Sequence, residues 1–381
     1  MRPVRFIHTS DIHLDTSFSA AGLPSRLGDR KREAIRATLK HILEDACSSS
    51  LDFVLVAGDL FEHDRVVPDT VQFLKCQFAA ISPVKVFVAP GNHDPCVRDS
   101  PYNTESWPDN VHIFRKEEFG SIELPEAGVR ITGFGFNRAH LTTRVFQQLS
   151  ALPPDLVNVV VAHGSDLARV PAGKAVHCPF TMDELVGKNV RYFAFGHYHQ
   201  QREVARSGDG TRVWYAGIPE GRGWDEEGEC GYLLVEIEGD DTRVVRRPSA
   251  QFPLKTLRIE CDGLTNREQI IEELLKGQGD LFDANSILRV QLVGAVDPRL
   301  DLSIPEMGER LSGAALYIQW DDRTEPAVDL DVLARENTLV GRFVREINAR
   351  ISGASGAELD ALERARLYGS QSLLGRGVRL K

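Results

Sequence analysis

The stretch VKVFVAPGNHD, from Val84 to Asp94, decides the fold. Its first half is a run of β-branched and aromatic residues closed by a Pro-Gly turn, which is typical of a buried strand. Three polar residues follow the turn, namely Asn92, His93 and Asp94. In open α/β sheets, ligands bind beyond the carboxyl ends of the strands, where the loops are free to carry chemistry. These three residues are therefore candidate site residues.

Four other apolar runs of the chain have the same form. Each ends in residues that bind metals or transfer protons: Asp11 and His13, then Asp59, then His163, then His197 and His199. A single histidine at such a position says little, because most histidines are ordinary surface or core residues. Here five of the eleven histidines lie at strand ends. The other six (His8, His41, His63, His112, His140 and His177) are interpreted as ordinary by default.

Length and composition are those of a globular protein with more than one domain. The chain has 381 residues, 42% hydrophobic and 26% charged. No apolar run approaches the roughly 18 to 20 residues of a membrane helix, and no signal peptide precedes the first strand. We therefore expect a cytoplasmic protein without a membrane partner. The six scattered cysteines form no C-x-x-C pair, so we expect them to be reduced and to bind no metal.

The charge of the chain is acidic and uneven. A net charge of −10 argues against a protein that coats nucleic acid, although it leaves room for a local groove. The last eighteen residues contain no acid and five basic side chains: Arg364, Arg366, Arg376, Arg379 and Lys381. This end is either a solvated tail or a docking segment.

The order of predicted elements indicates an α/β protein. Strands and helices alternate over residues 1–247, with helices predicted at 26–49, 68–80 and about 140–149. We expect two packed sheets flanked by helices. Two prolines near residue 250 mark a boundary. A small β-α-β-α-β unit at 254–322 and a helical segment at 326–381 are predicted beyond it.

The strand-end side chains predict a centre with two metal ions. The candidate ligands are two carboxylates, one amide and four imidazoles: Asp11, His13, Asp59, Asn92, His163, His197 and His199. Imidazole and oxygen ligands without thiolate suit manganese, iron or zinc, and seven ligands are too many for one ion. We assign the first ion to Asp11, His13, Asp59 and His199, and the second to Asp59, Asn92, His163 and His197. Asp59 is then the bridging carboxylate.

The strand-end motifs resemble those of a known family. The motifs D-x-H, G-D, G-N-H-D, H-G and G-H-x-H occur in this order and resemble the calcineurin-like metallophosphoesterase superfamily over about residues 4–247. The finer sequences SDIHLD (10–15), GDLF (58–61) and YAGIPEGR (215–222) are similar to the SbcD and Mre-type DNA exonucleases, especially the YhaO-like branch.

This resemblance implies a four-layer metallophosphoesterase β-sandwich and a two-manganese exonuclease that acts on DNA in repair or processing. It also implies that residues 254–322 form a capping domain that positions DNA. An SMC-like ABC ATPase would be the partner, docked through residues 326–381, and a homodimer is compatible with the resemblance.

One motif departs from the resemblance. Many Mre-type nucleases have a histidine directly after G-D-L-F, whereas this chain has Glu62 there and His63 one place later. His63 is kept as a candidate substrate-binding residue. Arg222, in a glycine-rich loop after a strand, is expected either to contact a substrate phosphate or to form a structural salt bridge.

The predicted mechanism uses two further residues. His93 is not needed to complete either coordination shell, so we expect it to protonate the leaving oxygen, with Asp94 orienting its ring. The alternative role for His93 is a supporting hydrogen bond. Three function classes follow: a DNA exonuclease, a phosphoesterase acting on phosphoproteins or nucleotides, and a metal-free scaffold. The complete ligand set argues against the scaffold.

Overall fold

The computed structural model describes residues 2–18, 23–171, 173–276, 283–296, 302–327 and 329–375. Arg376, Arg379 and Lys381 of the predicted basic end lie outside these residues. The chain forms two compact units. The larger comprises Met1–Lys255 with Asn285–Ile287, and the smaller comprises Thr256–Ala284 with Leu288–Lys381.

The larger unit contains twelve strands and four helices among the described residues. In chain order they are β1 (Val4–Thr9), α1 (Ser25–Ser48), β2 (Phe53–Val56), α2 (Pro68–Ala80), β3 (Lys85–Val88), α3 (Pro101–Thr104), β4 (Val111–Ile113), β5 (Gly120–Leu124), β6 (Val129–Gly133), β7 (Val157–His163), α4 (Met182–Leu185), β8 (Tyr192–Gly196), β9 (Arg202–Arg206), β10 (Arg212–Tyr215), β11 (Gly231–Glu238) and β12 (Asp241–Pro248).

These strands form two six-stranded sheets. The first has the order β12-β11-β1-β2-β3-β4, and β1 to β4 run parallel. The second has the order β5-β6-β7-β8-β10-β9, and its four inner strands run parallel. In parallel strands the carboxyl ends share one edge of the sheet. Every strand that precedes a predicted ligand belongs to one of these two parallel sets.

Both faces of the central strands are buried, which explains their uninterrupted apolar sequences. In β2, Val54 and Val56 pack against α1 and α2, whereas Phe53 and Leu55 face the second sheet. A third cluster covers the outer face of the second sheet. The predicted sandwich of two sheets flanked by helices is therefore confirmed. Each fully buried large side chain contributes about 1.5 to 3 kcal/mol.

The helix predicted at about 140–149 is wrong. That segment forms only a 3₁₀ turn at Val145–Gln148. The apolar side chains of this segment pack into the outer cluster although the backbone is not helical, so their spacing indicates burial and not a helix. The carbonyl of Leu141 accepts a hydrogen bond from the backbone N–H of Cys178, at 2.5 Å, so it is used in tertiary pairing rather than in a helix.

A buried ion pair fixes α1 against the loop that follows β10. The Lys31 ammonium is fully buried and donates to Glu220 Oε1 at 2.5 Å and to the carbonyl of Phe252 at 2.9 Å. The other oxygen, Glu220 Oε2, accepts from the backbone N–H of Gln251 and from Thr38 Oγ1. Both charges are thus paired and hydrogen-bonded, as burial requires.

The smaller unit has the predicted order of elements. They are β13 (Leu254–Glu260), α5 (Arg267–Leu275), β14 (Ile287–Val296), α6 (Ile304–Arg310), β15 (Tyr317–Pro326), α7 (Leu330–Arg335), α8 (Leu339–Ile351) and α9 (Ala357–Leu373). The three strands form one sheet whose core includes Leu257, Ile270 and Leu288.

The described residues contain neither a membrane-spanning helix nor a disulfide. None of their helices is long and apolar enough to cross a bilayer. All six cysteines are free thiols, and four are buried: Cys96, Cys178, Cys230 and Cys261.

Candidate metal centre

The structure brings the seven predicted ligands together at adjoining positions. Asp11 and His13 follow β1, Asp59 follows β2, and Asn92 follows β3. His163 ends β7 of the second sheet, and His197 and His199 follow β8. The cluster therefore straddles the ends of both sheets. Five of its members are buried: Asp11, His13, Asp59, His163 and His197.

The ligands assigned to the first ion surround one point. Asp11 Oδ1 lies 3.7 Å from His199 Nε2 and 4.0 Å from His13 Nε2. His13 Nε2 also lies 3.7 Å from Asp59 Oδ2. Three of these side chains, those of Asp11, His13 and His199, offer ligand atoms within 4.8 Å of one another.

The ligands assigned to the second ion lie on the other side of Asp59. Its Oδ2 is 3.4 Å from His163 Nε2, which is 3.1 Å from Asn92 Oδ1. The same carboxylate oxygen therefore faces a nitrogen from each predicted set, as it would in a carboxylate that bridges two ions through one oxygen. His197 uses Nε2 for the carbonyl of Ala175, at 3.1 Å, which leaves its Nδ1 for an ion.

One buried atom tests whether a cation fits. His13 Nε2 is buried and has no hydrogen-bond partner among the described residues. An unsatisfied buried polar atom costs about 1 to 3 kcal/mol, so its retention needs a reason. This atom faces the carboxylates of Asp11 and Asp59, and a divalent ion between them would satisfy all three groups. The nitrogen and oxygen donor set is one that manganese, iron and zinc accept.

Four of the predicted ligands have a strained backbone. The φ angles are 52° at Asp11, 51° at His13, 54° at Asp59 and 108° at His197. Such left-handed conformations cost roughly 1 to 3 kcal/mol each and concentrate at functional sites. Backbone hydrogen bonds hold two of them: Asp11 N donates to the carbonyl of Gly58 and His13 N to that of Asp59, each at 2.9 Å.

The electrostatics of the cluster suit a cation. Burial, aided by the Arg222 charge, lowers the pKa of His13 to about 4, and burial lowers that of His197 to about 3. Both rings are therefore neutral at pH 7, which metal ligation requires. Burial also opposes protonation of His163, but the Asp59 and Asp11 charges outweigh it and raise its pKa to about 9. A proton there balances carboxylate charge that a metal ion would otherwise balance.

Two glutamates support the imidazoles of the first set. Glu62 Oε1 lies 2.8 Å from His13 Nδ1, and Glu226 Oε1 lies 2.5 Å from His199 Nδ1. Such contacts fix the ring orientation and leave the other nitrogen for the metal. The sequence predicted this role for neither glutamate. Glu62 was noted only as the residue that follows G-D-L-F, and nothing in the spacing of Glu226 distinguishes it from a surface acid.

The residue that orients His93 is also Glu62, which corrects the expectation that Asp94 does so. His93 Nδ1 lies 2.7 Å from Glu62 Oε2. The Asp94 carboxylate points the other way and accepts hydrogen bonds from the backbone N–H groups of Asp59, Leu60 and Gly91 and from the Tyr102 hydroxyl. It thereby shapes the loops that carry the cluster. Burial alone would lower the pKa of His93, but Glu62 and Asp59 raise it.

The two candidate substrate residues differ in position. Arg222 donates to Glu226 through Nε and Nη2, the latter at 2.6 Å, so it forms the structural salt bridge named as its alternative role. Contact with a substrate phosphate stays a prediction. The His63 imidazole lies 3.7 Å from Asp99 and belongs to none of the donor clusters found among the described residues.

Comparison with known proteins identifies the family. The model of the calcineurin-like phosphoesterases matches residues 4–201. The chain belongs to this family. The resemblance to this family that the strand-end motifs predicted is therefore confirmed. The donor clusters found among the described residues are of a kind that could hold divalent ions, which fits membership of this family.

Several relatives of this member of the calcineurin-like phosphoesterase family are similar to it in sequence or structure. The uncharacterized metallophosphoesterase YhaO of Bacillus subtilis is 31% identical over 242 residues, covering 62% of this chain and 58% of that protein. The DNA double-strand break repair protein Mre11 of Methanopyrus kandleri is 24% identical over 362 residues, covering 87% of this chain and 76% of that protein. Among solved structures, a dimetal phosphatase from Danio rerio matches with a TM-score of 0.43 and 11% identity, covering 65% of this chain and 96% of that chain.

Proposed function

We propose that the protein is a two-metal phosphodiesterase that degrades DNA from its ends, with manganese as the working ion. The observation that carries the proposal is the pair of nitrogen and oxygen donor sets that share the Asp59 carboxylate. Two ions held about 3.5 to 4 Å apart by such a bridge suit in-line displacement at a phosphodiester. Hydrolysis of DNA would serve repair or processing in the cytoplasm.

The chain's own residues would divide the reaction between them. When bound, the ions would polarise the phosphate oxygens and activate a water for attack. His93 would protonate the leaving oxygen, since its ring is half exposed and forms a donor cluster with His13 and Glu62. Glu62 holds that ring through Nδ1, so the proton to be given lies on Nε2. Asp94 would keep the loops of Asp59 and Gly91 in place.

Similarity to Mre11 supports DNA as the substrate. The family model ends at residue 201, whereas the alignment with Mre11 spans 362 residues and reaches into the smaller unit. A metal centre alone hydrolyses any diester that reaches it, so selectivity needs a surface that positions a long polyanion. We assign that task to residues 254–322.

Digestion of end-labelled DNA tests the proposal. Linear and covalently closed circular duplexes of the same sequence are incubated with the full chain and Mn²⁺, with Asp59→Asn as the inactive control. We expect loss of label from linear DNA and persistence of the circle. Cleavage of the circle at the same rate would mean an endonuclease, and intact linear DNA would refute the nuclease proposal.

A second candidate function is a phosphoesterase on nucleotides or phosphoproteins, since the net charge of −10 argues against binding along a long polyanion. The two functions differ in how turnover depends on the length of the substrate. Under the second, a small aryl phosphodiester, a nucleotide or a phosphopeptide is turned over, and DNA is not preferred. Under the first, DNA cleavage exceeds small-diester turnover and falls with added salt, because several phosphate contacts release counterions.

The helices of the smaller unit provide a candidate partner surface. Leu339 is 70% exposed on α8, and Leu367 and Leu373 are 39% and 42% exposed on α9. We assign residues 326–381 to docking an SMC-like ABC ATPase. Removal of residues 357–381 is expected to abolish co-purification with such a subunit while the isolated chain keeps its nuclease activity. Retained co-purification would refute the assignment, and the mass of the isolated chain in solution tests the homodimer.

A further inference from the structure

We propose that three side chains make the two metal positions unequal, so that the first ion is bound more tightly than the second. They are those of Glu62, Arg222 and Glu226, called here the Glu62–Arg222–Glu226 network. The inference rests on the ligand sets of the proposed function. It assigns to these three residues the role of positioning residues for the first ion, because they contact its ligands His13 and His199; the contact of Glu62 with His93 is a separate one.

The network supports both imidazoles of the first set. Glu62 contacts His13 Nδ1 at 2.8 Å, and Glu226 contacts His199 Nδ1 at 2.5 Å. Arg222 joins the two glutamates: its Nη2 is 2.6 Å from Glu226 Oε1 and its Nη1 is 3.6 Å from Glu62 Oε1. All three side chains are largely removed from solvent, at 16%, 19% and 3% exposure in chain order.

The second set lacks such support among the described residues. Its histidines use backbone carbonyls instead: His163 Nδ1 lies 2.9 Å from the carbonyl of Ala57, and His197 Nε2 lies 3.1 Å from that of Ala175. A carbonyl orients an imidazole but carries no charge. A carboxylate also makes the ring a stronger donor to a metal, and its removal commonly costs 10- to 100-fold in affinity.

The ligands themselves add to the asymmetry. As assigned, the first set contains two carboxylates, Asp11 and Asp59, whereas the second contains Asp59 and the neutral amide of Asn92. Asp11 also lies within 4.8 Å of the donor atoms of Asp59 and His163, so its charge reaches the second position without its being assigned there. More anionic oxygens favour a divalent ion. Arg222 balances the two supporting glutamates, so that the extra negative charge is held in place without mutual repulsion.

Calorimetric titration of the metal-free full chain with Mn²⁺ alone tests the inference without any activity measurement. The wild type is expected to show two classes of sites that differ at least tenfold in affinity. Asn92→Ala removes a ligand of the second ion only and should leave the tight class. Glu226→Gln should weaken the tight class by about 10- to 100-fold and leave the other unchanged.

The matched control is Glu229→Gln, which changes an exposed glutamate in the same loop and should alter neither class. Glu62→Gln should repeat the effect of Glu226→Gln, so that misfolding of one variant does not decide the result. Equal weakening of both classes, or no weakening in either variant, would overturn the inference. A wild-type chain that binds no Mn²⁺ would refute the metal centre itself.

Discussion

Replacement of Gly58 by alanine tests how closely the two sheets must approach at the metal centre. Gly58 has a φ of +85°, and a Cβ there would lie 2.3 Å from His163 Nδ1 and 2.7 Å from its Cγ. Carbon contacts are normally about 3.5 to 4 Å, so the imidazole would have to shift by roughly 1 Å or more. The contact between His163 Nδ1 and the carbonyl of Ala57, 2.9 Å in the structure, would then be lost.

The expected cost has two separable parts. An L-residue in the left-handed region costs about 1 to 2 kcal/mol, and each kcal/mol lowers the melting temperature by about 2 to 4 °C in a unit of this size. Gly187 provides the control, since its φ is +72° and a Cβ added there would meet no atom of the described residues within 4 Å. Gly187→Ala therefore carries the strain alone. Gly58→Ala carries the strain and the displacement of His163.

Thermal unfolding with a chelator and Mn²⁺ titration of the folded chain measure the two parts. We expect both variants to lose stability in the chelator, Gly58→Ala more than Gly187→Ala. Only Gly58→Ala should lose metal affinity, by about 10- to 100-fold, as when a supporting contact of a ligand is removed. If the two variants lose equal stability and both retain full affinity, the close approach of backbone and imidazole is not what positions His163.

Three other substitutions give distinct outcomes. Asp59→Asn should abolish turnover and disturb both ions, and two ions per chain by metal analysis would contradict the bridge. His93→Ala should retain metal yet lose roughly 10²- to 10⁴-fold in turnover, about 3 to 5 kcal/mol; an unchanged rate would end its role as the acid. Lys31→Met should lower the free energy of unfolding by about 3 to 5 kcal/mol in denaturant titrations, because the buried Glu220 charge loses its partner. Adding Glu220→Gln removes that charge and should restore part of the loss. No recovery would mean that lost packing, not charge, dominates.

The convergence of the polar side chains was predictable from the chain. Apolar runs as uniform as Phe53 to Ala57 occur where both faces of a strand are buried, and parallel strands end at one edge. Asp11, Asp59 and Asn92 follow strands of one sheet and were therefore expected to meet, whereas His163 ends a strand of the other sheet and reaches them only because the two sheets pack together. The family followed from the same residues.

The supports of the cluster were not predictable. Glu226 lies among other acids in a loop, and only the folded position of His199 makes it distinct. Asp94 follows His93 directly, which suggested contact, but its carboxylate turns to three backbone N–H groups that the sequence does not reveal. Likewise the spacing of Leu141, Phe146 and Leu149 reports burial in a cluster and cannot distinguish a helix from an irregular layer.

The division of the metal centre between two sheets has a consequence for biosynthesis. Asp11 follows β1. One neighbour of β1 in its sheet is β11, which is synthesised only after β7 and β8, the strands that precede or contain His163 and His199. Until residues 231–248 leave the ribosome, β1 has an unpaired edge that is open to wrong partners. Pairings so distant in sequence form slowly. Because β1 delivers Asp11, we expect the donor set to stay incomplete until both sheets have closed, so that a metal ion would be captured at the end of assembly of this unit rather than at its beginning.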